Sequence, residues 1–360
     1  MQEKRIEIIK TIASLTEGRA FYTTNPINVR YLSGFTGEGS LLISREITIL
    51  ITDFRYIEQA AKETNGLYKI VKQTLPGYEC LKLLVKEYKI KELAIEEEHI
   101  TYKDYKELRN TIGEETKITG QEGQTEKLRQ VKDESEIFLI KKAAKIGRDA
   151  FDYIVQNIKP GMSEVYISNE LEYKFKQLGA EGKSFETIVA SGKRSAMPHG
   201  TASEKIINEG DILTLDFGCI YKGYCSDMTR TFFVGTPRKC DETEKLIKIY
   251  NIVAEAQQAA IQAVRPGISG QKLDLVAREY IKSKGYGEYF GHGLGHGVGL
   301  MIHEEPNANL RNEKPLVPGN VITIEPGIYI EGLGGVRIED MVCITNTGCE
   351  ILTGETCTRL

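Results

Sequence analysis

Three of the chain's five histidines fall in one stretch, GHGLGHGVGLMIHEEP, running from Gly291 to Pro306. Glycine occupies every second position there from Gly291 to Gly299. A helix is excluded, because each interior glycine costs about 1 kcal/mol relative to alanine and five would cost roughly 4–5. Extended backbone remains. Its period of two places His292 and His296 on one face and leaves the other nearly bare. Glycine in a strand marks close approach to the backbone, so the bare face is expected to leave room for a ligand. His303 has the opposite parity and can join the other two only after a bend.

Two further stretches carry acids at spacings that could converge. Residues 215–231, LDFGCIYKGYCSDMTRT, read as a hairpin turning at Lys222-Gly223. That turn sets Asp216 opposite Thr229, with Asp227 diagonal to it on the same face. Residues 324–339, IEPGIYIEGLGGVRIE, form a second hairpin in which Glu325 and Glu339 are equidistant from Gly332. Arg337, two residues before Glu339, shares its face. Inward carboxylates this close repel one another unless a cation lies between them. Four carboxylates and an imidazole make a hard donor set, suited to two adjacent divalent ions such as Mn²⁺, Co²⁺ or Fe²⁺, or Zn²⁺, rather than to a sulfur-rich structural zinc site. Taken singly, an aspartate in a strand is more often a turn residue, a histidine among glycines structural, and an arginine a surface charge. The joint pattern is what reads as chemistry.

The elements that must position these residues repeat. One long helix, opened by the capping pattern Asp133/Glu136 and carrying Ile137, Ile140, Ala144, Gly147, Phe151 and Ile154, stops at Lys159-Pro160-Gly161-Met162-Ser163. A second, 241–264, stops at Arg265-Pro266-Gly267-Ile268-Ser269. Gly210–Gly218, GDILTLDFG, aligns with Gly319–Gly327, GNVITIEPG, at an offset of 109, and Met197-Pro198-His199 with Met301-Ile302-His303 at 104. An internal duplication with a pseudo-two-fold axis follows. It relates Asp216 to Glu325 and His199 to His303, groups that can therefore meet on that axis. Ahead of it, residues 1–125 read as a mixed α/β unit: an opening helix with Ile6, Ile9, Ile12 and Ala13, strands at Leu41–Ser44 and Ile47–Thr52, a helix near Tyr102–Asn110, and a linker at Gly120–Gln124.

Composition narrows the function. Charges of 47 basic and 51 acidic residues leave a net of −4 with no long run of one sign, so nothing favours nucleic acid or an anionic membrane. No apolar run nears the roughly 20 residues of a membrane span. The charged N-terminus lacks a signal core. The seven scattered cysteines, Cys357 among them and none in CxxC, imply a reduced cytosolic setting. Asp216-Phe217-Gly218 spells a kinase triplet without a glycine-rich nucleotide loop or HRD. GxGxxG, HExxH and GxSxG are absent.

Together these residues resemble the pita-bread metallopeptidases: methionine aminopeptidase, aminopeptidase P, prolidase and creatinase. The likeness covers residues 126–360 and extends to the N-terminal part through NPINVRYLSGFTG, Asn25–Gly37, and TDFRY, Thr52–Tyr56. It implies an α+β chain, with a creatinase-like N-terminal domain at 1–125 and a pita-bread catalytic domain at 126–360. It implies Asp216, Asp227, His296, Glu325 and Glu339 as ligands of two divalent ions, Mn²⁺ foremost, with Asp227 and Glu339 bridging. His199, His292 and His303 match substrate-facing histidines, and Arg337 an arginine of the proline-specific sites. Glu325 would be the general acid–base, with His303 and His199 donating to the substrate carbonyl. The complete ligand set speaks against the creatinase branch and against metal-free binders. The implied reaction is hydrolysis of the N-terminal Xaa-Pro bond of short peptides. Aminopeptidase is the first reading and dipeptidase the alternative; methionine aminopeptidase and a non-enzymatic peptide-binding scaffold stand behind them. A cytoplasmic homodimer is also implied, its N-terminal domain helping to pair the subunits and roof the cleft.

Overall fold

The computed structural model describes residues 2–354; Cys357 and the Ile12 side chain lie outside the described residues. The chain divides into two compact units, 1–129 and 130–360.

The first unit is built on a six-stranded mixed sheet. Its order is Lys69–Lys72, Thr48–Thr52, Gly39–Ser44, Arg19–Thr23, Glu92–Glu96, Lys117–Gln121. The Arg19–Thr23, Gly39–Ser44 and Thr48–Thr52 strands pair antiparallel, and the outer pairings are parallel. Leu41, Leu42, Ile43, Ile49 and Leu50 are all fully buried. Consecutive buried residues need both sheet faces covered, which is why these strands read as unbroken apolar runs. The opening helix, Gln2–Ile12, buries Ile6 and Ile9. Helix Pro26–Ser33 is capped at its start by the Asn25 side chain and closed by Gly34 at φ 80°. The segment expected to be a linker is different: Gly120 and Gln121 finish the last strand, and Gln124–Arg129 is a helix. A turn-rich composition marked the bend and not the end of the unit.

In the second unit the expected helices run Glu134–Asn157 and Asp241–Ala263. The Asp133/Glu136 capping box is formed. Each is followed by a shorter helix, Glu164–Gln177 or Gly270–Ser283, capped by Ser163 or Ser269. The duplication persists in the hydrogen bonds. Gly161 N donates to Ile207 O (2.9 Å) and Gly267 N to Leu316 O (2.8 Å), while Ser163 bridges Ile206 and Ser269 bridges Pro315. The first half holds a sheet of Met228–Phe233, Ile212–Phe217 and Ile188–Ser191. The second holds a five-stranded sheet in which Val321–Ile324 lies between Gly295–Gly297 and Asp340–Ile344. Each sheet packs on its helices through its own apolar cluster. In the first half Phe217 stacks on Phe151 at 5.6 Å, and each such buried ring contributes roughly 1.5–3 kcal/mol.

Candidate active site

Two hairpins bring the acids together. Lys222 (φ 47°) and Gly223 (φ 82°) make a two-residue left-handed turn between Tyr221 and Tyr224. The register it sets continues into the next strand pair and places Thr229 opposite Asp216, with Asp227 on the diagonal. In the second half Gly327 pairs with Arg337 and Ile324 with Asp340, so Glu325 and Glu339 hold matching positions. The ladder breaks between those pairs because Pro326 has no N–H to give. All four carboxylates are at least largely buried, Glu339 at 1% exposure.

The histidine stretch folds less regularly than its alternation implies. Gly295–Gly297 is strand and Glu304 opens another, Glu304–Ala308; His292 sits in the loop before the first and His303 just ahead of the second. Gly295 and Gly297 do admit close neighbours, but these are chiefly backbone. A Cβ on Gly295 would lie 2.0 Å from Thr323 O, and one on Gly297 2.4 Å from Glu304 O. The strand is therefore glycine-rich because it is squeezed between two others, and the expected bare ligand face is corrected to Gly291, with nothing within 4 Å of its Cβ position. The bend that His303 requires is a tight turn, Gly299 N to Met301 O at 3.0 Å. It brings the His303 ring to 4.4 Å from that of His296, edge to face.

His296 Nε2 lies 3.3 Å from Glu325 Oε1 and 3.6 Å from Asp227 Oδ2, and its Nδ1 is 3.2 Å from Gly297 O. Nδ1 thus faces the Gly297 carbonyl and Nε2 faces the acids. Thr323 Oγ1 ties the two together, accepting from His296 N (3.0 Å) and donating to Glu325 Oε1 (3.0 Å). Arg337 is buried and forks across the site. It donates to Asp216 Oδ2 (2.5 Å), Thr229 Oγ1 (3.2 Å), Pro198 O (3.2 Å) and the Tyr329 hydroxyl (2.8 Å). That hydroxyl is also 2.9 Å from His292 Nε2. His199, His292, His296, His303, Tyr329, Arg337 and the four carboxylates all face one cavity of about 810 Å³. Sequence reasoning missed Tyr329, although its signal was present: the register about Gly332 puts it diagonal to Arg337. Phe185, Glu288, Tyr289, Asn307 and Asn309 also line the cavity, from segments with no periodic signal.

The electrostatics fit cations. Burial, then the charges of Glu339, Asp216 and Glu325, drive the Asp227 carboxyl well above its ordinary range. Burial, then Glu325 and Asp216, do the same for Glu339. Asp216 is raised by burial and less so because Arg337 opposes it. Burial also acts upward on Glu325, but the His296 hydrogen bond and the charges of His296, His292 and Arg337 overcome it and hold the group at about 2. Burial lowers His292 and His303, and raises Tyr329 to about 12. Asp216 Oδ1 and Asp227 Oδ1 are buried without a hydrogen-bond partner. Donor atoms of Asp227, His296 and Glu339 lie within 4.8 Å of one another. Unpartnered anionic oxygens beside an imidazole nitrogen are what divalent ions would satisfy, so the residues present fit such ions.

The comparisons with known proteins agree with this chemistry. The model of metallopeptidase family M24 matches residues 139–346, and that of the creatinase/prolidase N-terminal domain residues 5–131. A solved Xaa-Pro dipeptidase of Bacillus anthracis is 45% identical with a TM-score of 0.92, over 99% of this chain and 97% of that one. An Xaa-Pro dipeptidase of Pyrococcus furiosus is 41% identical over 98% of each chain. A solved X-Pro aminopeptidase of Thermotoga maritima is 41% identical with a TM-score of 0.89, over 99% and 98%.

Proposed function

Because the chain belongs to metallopeptidase family M24, we propose that it is an Xaa-Pro dipeptidase, a metalloexopeptidase that cleaves the bond before proline in short peptides. The aminopeptidase reading preferred from sequence becomes the second one. The dipeptidase name recurs among similar chains from Bacillus anthracis, Pyrococcus furiosus and Pyrococcus horikoshii, and the aminopeptidase of Thermotoga maritima keeps the second reading open. The observation that carries the chemistry is that four largely buried carboxylates and the His296 imidazole line one cavity, with two of the carboxylate oxygens unpartnered.

Asp216, Asp227, His296, Glu325 and Glu339 would hold two divalent ions, Mn²⁺ foremost, with Co²⁺, Fe²⁺ and Zn²⁺ as alternatives. Such ions supply Lewis acidity, polarising a carbonyl and lowering the pKa of water. Glu325, held as a carboxylate, takes the proton of the attacking water at Oε1 or Oε2 and delivers it to the proline nitrogen. That nitrogen carries no hydrogen in the peptide and must gain one to leave. His303 and His199, both lining the cavity, donate to the carbonyl oxygen as charge develops. His292 and Tyr329 form one wall for the proline ring, and Arg337 fixes Tyr329 and Asp216 together.

We place this activity in the catalytic part, 126–360, of a cytoplasmic homodimer, with 1–125 as the accessory domain. No disulfide joins the six described cysteines, which suits that compartment, and no described helix is long and apolar enough to cross a membrane. Light scattering giving twice the monomer mass would support the dimer. The deciding experiment is cleavage of Leu-Pro against Leu-Pro-Ala, first with Mn²⁺ and then with Co²⁺. Preference for the dipeptide supports the proposal, preference for the tripeptide selects the aminopeptidase, and cleavage of Met-Ala-Ser alone removes proline from the account.

A further inference from the structure

The loop that presents His292 has no regular structure of its own from Phe290 to Leu294. Its backbone groups are held instead by two side chains of one helix, Gly270–Ser283. Asp274 is fully buried. Its Oδ1 accepts from Leu294 N at 2.9 Å, and its two oxygens take a two-pronged bond from Arg278, Nε at 2.6 Å and Nη2 at 2.9 Å. Arg278 then donates outward, Nη1 to Phe290 O (3.0 Å) and Nη2 to His292 O (2.7 Å). Its guanidinium also covers the Phe290 ring at 4.4 Å, and that ring meets the His292 imidazole edge-on at 5.1 Å. Beyond the loop, Leu294 O accepts from Glu325 N at 2.8 Å.

The other half of the duplication repeats the device. Glu164 is fully buried on the matching helix, Glu164–Gln177, though not at the matching turn. It accepts from Ser191 N (2.8 Å) and Ser203 N (3.2 Å) on either side of the loop that carries His199, and from Arg194 inside that loop. Arg194 donates on to Thr201 O at 3.0 Å, two residues from His199.

We propose that Asp274 and Arg278 are a positioning pair for His292, and that Glu164 with Arg194 is its counterpart for His199. A buried carboxylate locks an arginine fork, and the fork fixes backbone carbonyls of the loop, two for Arg278 and one for Arg194. A lysine cannot reproduce this, since an ammonium offers no planar fork to hold a carboxylate and two carbonyls at once. The pairs touch neither substrate nor reacting atoms and act only through the histidines. The inference rests on the proposed Xaa-Pro reading solely for its kinetic readout.

The test is a double-mutant cycle on the metal-loaded enzyme with Leu-Pro, together with the imidazole ¹⁵N spectrum, in which only five histidines contribute. Arg278→Met is expected to raise KM about tenfold, with a much smaller change in kcat, because a positional shift of about 1 Å weakens the contacts of His292. In the His292→Ala background the same substitution is expected to change KM less than about twofold, since coupled sites are non-additive. The His292 resonances should move while those of His99 do not. If Arg278→Met fails to fold, Arg278→Lys takes its place in the cycle with the same expected pattern. Additive KM effects, or a His292 resonance that Arg278 substitution leaves in place, overturns the inference. Wild-type protein that cleaves no proline peptide refutes the proposed function instead, and the resonance shift still decides this one.

Discussion

Glu96 gives a quantitative test of the N-terminal unit. Its side chain is 7% exposed, closing the strand Glu92–Glu96, and it faces Thr23, Asn28 (2.7 Å) and Thr125 (3.1 Å). Burial pushes its carboxyl up, the Thr23, Asn28 and Thr125 hydrogen bonds oppose this, and the nearby Glu126 charge adds to it, for a result of about 7 against 4.5. The folded unit therefore holds a proton between those values that the unfolded chain has released. Stability from Glu96 is complete below about pH 4.5 and is lost as pH rises through about 7. At about 1.4 kcal/mol per pH unit, the full loss is about 3 kcal/mol. Glu96→Gln keeps the shape and removes the titration; its carbonyl can still accept from Asn28 and Thr125, and its amide can donate to Thr23. The variant should gain on wild type by about 1 kcal/mol at pH 5 and about 3 kcal/mol at pH 8. Hydrogen exchange of the Glu92–Glu96 amides, measured for both proteins from pH 5 to 8 and corrected for intrinsic rates, reads that difference within the unit itself. A difference that stays constant over this range would refute the reasoning.

Three more outcomes follow from the active-site geometry. Asp227→Asn should lose bound metal, by elemental analysis, together with activity; full activity without metal would sink the ligand assignment. Tyr329→Phe removes a hydroxyl shared by Arg337 and His292 and should cost about 1.5–3 kcal/mol of transition-state binding, seen as a fall of one to two orders of magnitude in kcat/KM. Gly295→Ala should prevent stable folding or metal retention, because its Cβ would sit 2.0 Å from a backbone oxygen, whereas Gly291→Ala, with open space around it, should melt as wild type does. Similar melting of the two would show that the sheet yields where its packing says it cannot.

What could be read in advance was what local rules determine. A left-handed two-residue turn at Lys222-Gly223 fixes a hairpin register, and period two then carries it to Asp216 and Thr229. A capping box and two Pro-Gly stops fix two long helices. The glycine stretch was misread in one respect because alternation tells that something comes close without telling what. Only the three-dimensional order of strands reveals that Thr323 and Glu304 backbones fill the space. Asp274 and Arg278 escaped notice for a related reason. On a helix they look like an ordinary i,i+4 ion pair, and their meaning lies in carbonyls 12 and 14 residues away.

The duplication also explains where the negative charge is left uncompensated. Asp216 and Glu325 are the symmetry-related inner acids, yet each has acquired a different partner. Arg337 donates to Asp216, and His296 lies against Glu325. The first hairpin has no counterpart of Arg337: two residues before Asp227 stands Cys225, buried in an apolar cluster with Val298 and Met341. Among the described residues, His296 Nε2 lies 3.6 Å from Asp227 Oδ2, and the Thr229 hydroxyl donates to Glu339 Oε2 at 2.7 Å. These are the two acids that burial and mutual repulsion raise furthest from their ordinary range. The departure from symmetry thus sets Arg337 against one inner acid, while burial and the neighbouring carboxylates raise the outer acids Asp227 and Glu339 well above their ordinary range.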